Sequence, residues 1–377
     1  IVPRYTSQAH ILLGCECGIL GISQWSEVGM TGRSRFVVTA LAACSLFGSL
    51  ALPASAAQDA TPAAECAVTT PEENAELARA YWAEGVWGPQ GKIAEIVAPN
   101  EVHHWGIAGT THGFDEFAER WALFNTAFPD LKFNVDQVTA TDDMAATVWT
   151  ATGTQEGEWQ GIAPTGKTVS WTGINVFSIA CGQIAESWGE ADHVGLRAAL
   201  GATDVPALPM AEAMTAGTPV AGDAAASCAS PGAEANLATA ERWSTEVWNN
   251  QDLGVLDEIA SPEILHHGAA FPDVSGVDDL KGALTRQFEA FPDIVITVDD
   301  AFADDNAAVV RWSGTATLGG DFLGESASGA PLTFSGVNVY RMECGQIVES
   351  WSEMGKDDGR EMPNIPMVDW TIDKVDL

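Results

Sequence analysis

The chain says one thing twice. "CGQIAESWGEAD" at 181–192 returns as "CGQIVESWSEMG" at 344–355. "VHHWG" at 102–106 answers "LHHGA" at 265–269, and "VSWTGINVFSIACGQIAESW" answers "LTFSGVNVYRMECGQIVESW". From His103 onward the matches keep one offset of 163 residues, without a gap. A repeat of that length means two copies of one domain rather than a single large fold. The copies are expected at 66–203 and 228–356, joined by an Ala/Pro/Gly-rich linker at 204–227. The tail, 357–377, has no counterpart in the first copy.

Within each copy helices come first and strands later. "EENAELARAYWAEGVW" and "ANLATAERWSTEVW" carry apolar residues at helical spacing, as do "DEFAERWALFNTAF" and "DDLKGALTRQFEAF". Then come alternating strands: "LKFNVDQVTA", "MAATVWTATGT", "KTVSWTGINVFSI" and "QIAESWGEA". "ACGQ" and "ECGQ" supply glycine-containing hairpin turns. This order predicts an α+β domain, a curved antiparallel sheet wrapped on N-terminal helices with a concave pocket.

The formal charge is −35, with 17 basic against 52 acidic residues. Such a surface repels phosphate backbones and anionic membranes, which excludes nucleic acid as a partner and argues against membrane binding by the mature chain. The first Met is Met30, and residues 1–29 carry no readable function. From Met30, Arg33 and Arg35 precede an apolar run from Phe36 to Leu52, then Pro53 and "ASAA". That is the pattern of a secretory signal peptide cleaved near Ala56, so 1–57 is read as leader and the mature protein as secreted. "LAAC" at 41–44 resembles a lipobox at Cys44, but the apolar run continues past it.

Four cysteines follow the leader, and three pairings are open to them. Cys66 precedes Cys181 by 115 residues and Cys228 precedes Cys344 by 116. The repeat suggests one bridge per copy, Cys66–Cys181 and Cys228–Cys344, each contributing roughly 4 kcal/mol by loop closure. No Cys/His cluster suggests a metal site.

Helix, "VW", a segment ending in His, "FPD", "GIAPTGKTVSWTG" at 161–173 and "GQIAESWGEAD", in that order, resemble the SnoaL-like polyketide cyclase, or ester cyclase, family. The resemblance covers both copies. It implies two tandem cone-shaped α+β barrels of the nuclear-transport-factor-like superfamily. It also implies a small apolar carbonyl compound as substrate, a pocket aspartate as acid/base, and no metal or cofactor. The second copy departs from the pattern. It reads "GESASGAPLTFSG" at 324–336, without the lysine, and has Gly355 where the first has Asp192. The first copy has Val148 where the second has Arg311. That missing arginine argues against a limonene-epoxide-hydrolase-like reaction, which needs an Asp–Arg–Asp cluster.

Strand alternation places Trp188, Glu190 and Asp192 on one face, and Trp171, Asn175 and Phe177 on one face of the preceding strand. Asp192, Glu190 and His104 are the expected catalytic groups, His104 because it aligns with the family histidine. Trp188, Asn175, Trp171, Phe124 and Trp149 are expected to contact ligand, with His267, Asn338, Trp351 and Glu353 in the second copy. Alternatives stay open. The carboxylates suit a solvated sheet edge as well as a pocket, the aromatics suit a core, and one histidine of each adjacent pair must face away. Three roles fit: a cofactor-independent cyclase or isomerase, a carrier of hydrophobic molecules, and a scaffold in which the two copies form an intramolecular pseudo-dimer.

Overall fold

Thr70 begins the first domain by capping helix α1 (Pro71–Tyr81): its hydroxyl accepts from the Glu73 amide, and the Glu73 carboxylate accepts from the Thr70 amide. A single helical turn, α2 (Ile93–Ile96), leads into β1 (Val97–Trp105) and β2 (Gly109–His112). Helix α3 (Phe114–Ala127) follows, then β3 (Lys132–Ala140), β4 (Met144–Thr154), β5 (Thr168–Ala180), β6 (Gln183–Ala191) and helix α4 (His193–Leu200). The second domain repeats this plan. Helix α5 (Ala233–Arg242) continues into a π-helical turn (Trp243–Asn249). After it come α6 (Leu256–Ile259), β7 (Ala260–Gly268), β8 (Val274–Ser275), α7 (Val277–Ala290), β9 (Val295–Ala303), β10 (Ala307–Thr317), β11 (Pro331–Glu343) and β12 (Gln346–Gly355).

This computed structural model describes residues 68–83, 92–105, 109–202, 229–268, 273–321 and 326–355. The leader with Cys44, the linker at 204–227, the tail at 357–377, and Cys66 and Cys228 lie outside the described residues. Cys181 and Cys344 are both disulfide-bonded. No described helix is long and apolar enough to cross a membrane.

Each domain has a six-stranded sheet, ordered β2-β1-β6-β5-β4-β3 and β8-β7-β12-β11-β10-β9. The sheets are mixed rather than wholly antiparallel as the sequence suggested, because β1 runs parallel to β6 and β7 parallel to β12. The first strand precedes the β3–β6 meander and returns to its far side, and the intervening helix and strands supply the long crossover a parallel pair requires. The hairpins at "ACGQ" and "ECGQ" form as expected. Cys181 and Gly182 have φ of 56° and 73°, and Cys344 and Gly345 have 55° and 80°. Two successive positive φ angles match the right-handed twist of the flanking strands.

Both faces of the central strands are largely covered. Inner-face Trp149, Trp171 and Phe177 pack with Tyr81, Phe117, Trp121 and Phe124 from the helices, and Leu280, Leu284 and Trp243 cover the second sheet in the same way. The outer faces meet each other. Ala146, Val148, Ile174 and Val176 pack against Phe302, Val309, Val337 and Val339. Removing the valine, isoleucine and phenylalanine side chains from water stabilises the contact by about 1.5–3 kcal/mol for each one fully buried. The Arg311 guanidinium lies 4.6 Å from the Trp188 ring centre, and it is also paired with Asp300.

Two hydroxyl–carboxyl contacts cross this layer reciprocally. Thr172 Oγ1 donates to Glu353 Oε1 at 2.7 Å, and Ser335 Oγ donates to Glu190 Oε1 at 2.9 Å. Thr172 and Ser335 are repeat equivalents, and so are Glu190 and Glu353. At Gly355 a Cβ would fall 1.9 Å from Glu190 Oε2, so the carboxyl occupies the space a side chain there would need. Gly355→Ala should therefore drive Glu190 off Ser335 and cost about 1–3 kcal/mol, as overpacking typically does. Urea unfolding of the full chain checks this. Adding Glu190→Ala should recover part of the loss if the clash is its cause.

Candidate functional site in the first domain

Strand β1 decides which groups enter the cone. Glu101, His103 and Trp105 are buried on its inner face, whereas Val102 and His104 point outward. Parallel pairing sets His103 beside Ser187, and β5 pairing sets Ser187 beside Phe177. The next inner row holds Trp105, Gly189, Asn175 and Thr147.

These rows carry a buried polar chain. His103 Nδ1 lies 2.5 Å from Ser187 Oγ, and Ser187 Oγ lies 2.5 Å from Glu101 Oε1. Burial pushes the Glu101 carboxyl up to about 7, a tendency opposed by the Ser187 hydrogen bond and reinforced by Glu186. Burial, with Arg120 and His104 nearby, pulls His103 down to about 3, so the imidazole is neutral at physiological pH. If Ser187 donates to ionised Glu101, its oxygen accepts from His103 Nδ1–H. His103 Nε2 is then a bare acceptor, and it has no protein partner.

Two donors in the same cone also lack acceptors. Asn175 Oδ1 accepts from Trp149 Nε1 at 2.9 Å, which leaves Nδ2 without a partner. Trp105 Nε1 donates to His193 Nε2 at 3.1 Å, which assigns the proton to Nδ1, also unpartnered. Burial, with Arg197 nearby, pulls His193 down to about 3 and keeps it neutral. Buried polar groups of this kind cost about 1–3 kcal/mol each when unsatisfied. The unpartnered atoms of His103, Asn175 and His193, with Glu101 Oε2, mark a place for a partner with both donor and acceptor character.

The residues anticipated from sequence fall into separate places. Asn175, Trp171, Trp149 and Phe124 lie on the inner side. Trp188 and Glu190 lie on the outer face, paired across β5 from Val176 and Ile174, and so cannot share a pocket with Asn175. His104 is outside as well, stacked on Trp188 at 5.5 Å with Nε2 2.8 Å from Glu186. The pair rule held, but the inward histidine is His103. Asp192 follows β6 as the N-cap of α4, where Oδ1 accepts from the Gly195 amide at 2.7 Å. In the second domain His267, Trp351 and Glu353 are outward and Asn338 is inward, accepting from Trp312 Nε1 at 2.5 Å. Burial would pull His267 down, but hydrogen bonds to Asp273 and Glu349 outweigh it and raise it to about 9.

Glu101, His103, Ser187, Trp105 and His193 escaped the sequence reading. The signal was present in "EVHHW": once the segment is a strand, Glu101, His103 and Trp105 share a face by the period of two. The second copy keeps His266 beside Ser350 at 2.8 Å, but Ile264 replaces Glu101 and Gly268 replaces Trp105.

A family model described as SnoaL-like polyketide cyclase matches residues 75–200 and 238–356. No curated protein sequence matches significantly. Among solved structures, a protein described as a SnoaL-like polyketide cyclase from Jannaschia sp. CCS1 is 25% identical, with a TM-score of 0.32, over 33% of this chain and 88% of its own. A SnoaL-like polyketide cyclase from Agrobacterium tumefaciens is 20% identical, with a TM-score of 0.28, over 32% of this chain and 92% of its own. AclR from Streptomyces galilaeus, described as a hydroxylase, is 27% identical, with a TM-score of 0.29, over 31% and 86%.

The cap geometry of Asp192 yields a direct expectation. Asp192→Ala should cost about 0.5–2 kcal/mol by removing the N-cap acceptor, whereas Asp192→Asn, an equally good cap, should cost little. Thermal unfolding of both variants checks it. An equal loss in the two would show that charge rather than capping is what counts at this position.

Proposed function

Because the chain belongs to the SnoaL-like polyketide cyclase family, whose membership supports a cyclase- or isomerase-like role, we propose that the first domain abstracts a proton next to a carbonyl of a small apolar molecule. The observation that carries this reading is the Glu101–Ser187–His103 chain ending in a bare Nε2. His103 Nε2 takes the carbon-bound proton, Nδ1–H passes to Ser187, and the Ser187 hydroxyl proton passes to Glu101. The imidazole begins and ends neutral, so its low basicity as an imidazolium does not block the step. Glu101, held near 7, is the proton sink. The enolate oxygen is left to the unpartnered donors Asn175 Nδ2–H and His193 Nδ1–H, as in other preorganised oxyanion sites. Return of the proton to a different atom is isomerisation, and attack of the enolate carbon on a second carbonyl of the same molecule is cyclisation. The residues supply acid/base chemistry themselves. The leader-like segment at 30–57 supports export as the setting.

For the second domain a binding role without proton transfer is favoured. Ile264 replaces the proton sink, and Trp243 Nε1 and Tyr340 Oη are buried donors without acceptors. Burial holds the Tyr340 phenol well above its usual range, so it stays a donor.

The test is α-hydrogen exchange for deuterium in apolar ketones, followed by NMR. Exchange should need ionised Glu101, rising about tenfold per pH unit below about 7 and levelling above it. Glu101→Gln should lower the rate by about a hundred- to ten-thousandfold and remove that limb, because general acid–base catalysis is typically of this size. Glu353→Gln, far from the cone, should leave it unchanged. Full activity in Glu101→Gln would overturn the assignment. Binding of the ketones without exchange would favour a carrier.

A further inference from the structure

The second cone carries its own polar row. Parallel pairing sets His266 beside Ser350, and β11 pairing sets Ser350 beside Tyr340. The same row in the first domain reads His103, Ser187 and Phe177. Trp243 packs against this row from the helical side, its ring centre 5.4 Å from that of Tyr340 and 6.1 Å from that of His266. Tyr340 and Trp243 are 0% and 1% exposed, and neither Tyr340 Oη nor Trp243 Nε1 has a partner among the described residues. The first copy has phenylalanine at the Tyr340 position, so this hydroxyl belongs to the second cone alone.

Loss of the acid also reverses the histidine. In the first cone ionised Glu101 takes the Ser187 hydroxyl hydrogen, Ser187 accepts from His103 Nδ1–H, and Nε2 is bare. In the second cone Ile264 stands at the Glu101 position and accepts nothing. Were His266 Nδ1–H to donate to Ser350, the buried Ser350 hydroxyl hydrogen would have no acceptor in the row. Ser350 therefore donates to His266 Nδ1 across their 2.8 Å contact, and the ring proton sits on Nε2. Burial and the neighbouring His267 pull the ring down to about 4, against the pull of Asp273, so it is a neutral donor. Room accompanies the donors. Gly268, Leu284 and Gln287 stand at the positions of Trp105, Trp121 and Phe124, on the same strand order and an equally long helix. The Trp105 ring lies 5.4 Å from His103, and Gly268 puts no side chain at that place beside His266. His266 is half-buried where His103 is fully enclosed.

We propose that the second cone binds a neutral apolar molecule through one acceptor oxygen, a ketone or ester carbonyl, held by Tyr340 Oη–H, Trp243 Nε1–H and His266 Nε2–H. The proposal rests on the binding role given above to the second domain and adds what that role recognises. Three neutral donors without a base hold a carbonyl and leave its neighbouring carbon protonated. A molecule of the same shape without the oxygen leaves all three donors unpaired, and a site built to hydrogen-bond an oxygen discriminates against such an analogue. The two cones thus share a fold and a serine–histidine pair but present opposite ring nitrogens, a bare acceptor in the first and a donor in the second.

The experiment titrates the full chain with cyclohexanone and with methylenecyclohexane, in which a methylene group replaces the oxygen. The indole N–H resonance of Trp243, assigned by its loss in Trp243→Phe, reports binding in the second cone and not in the first. Both compounds should perturb it, and Tyr340→Phe should weaken cyclohexanone by about two- to tenfold, the size of one net hydrogen bond, while leaving methylenecyclohexane unchanged. Equal effects of Tyr340→Phe on the two compounds, or none on either, would overturn this proposal and leave the binding role standing. Failure of both compounds to perturb Trp243 in the wild type would overturn the two together. The second readout needs no variant. Long-range proton–nitrogen NMR of the wild-type chain should find His266 protonated on Nε2, and protonation on Nδ1 instead would remove the third donor and overturn the assignment.

Discussion

The molecule rests on the two-residue period of its strands, applied to sheets buried on both sides. On β5, Trp171, Asn175 and Phe177 go to the helices while Thr172, Ile174 and Val176 go to the other domain. Water reaches little of either face near the middle of the central strands, so a polar residue buried there must find a protein partner or remain a cost. That is why the acids of these strands gather in two clusters: Glu101 inside the cone, and Glu190 with Glu353 between the sheets. A one-residue change of register would exchange the two sets and destroy both.

The family identity and the tandem architecture were legible in the sequence because they depend on long patterns: the offset of 163 residues, the helix-then-strand order, the Cys-Gly turns. Each averages over many residues. The site depended on a shorter inference and was missed. Parity correctly put Trp188 with Glu190 and Trp171 with Asn175, but parity within a strand does not say which face is the pocket. Cross-strand register decides it: Ile174 lies opposite Glu190 and Asn175 opposite Gly189. The parallel β1–β6 pairing, which brings His103 to Ser187, joins segments 84 residues apart and leaves no local mark.

The copies have diverged in a way that follows their positions. In the cone, the first copy has Glu101 and Trp105 where the second has Ile264 and Gly268, so the second lacks the buried carboxyl and the tryptophan that donates to His193. In the interface, the first copy has Val148 where the second has Arg311, which covers Trp188 of the other domain. An identical pair would have to satisfy each change twice. A tethered pair can accept a change on one side alone, because the linker keeps the correct partner at high effective concentration.

The exchange of Asp192 for Gly355 belongs to the same logic. Asp192 is needed where helix α4 begins, since its carboxylate caps the first turn. Its repeat equivalent faces Glu190 and has room for no side chain. Replacing such buried acids with apolar residues of similar volume would often be no less stable. What the reciprocal Thr172–Glu353 and Ser335–Glu190 contacts add is register: any slip of one sheet over the other sets a carboxyl against Ile174 or Val337 with no hydroxyl to meet it. The apolar layer supplies attraction without direction, and the buried acids select one docked arrangement from the many that attraction alone would permit.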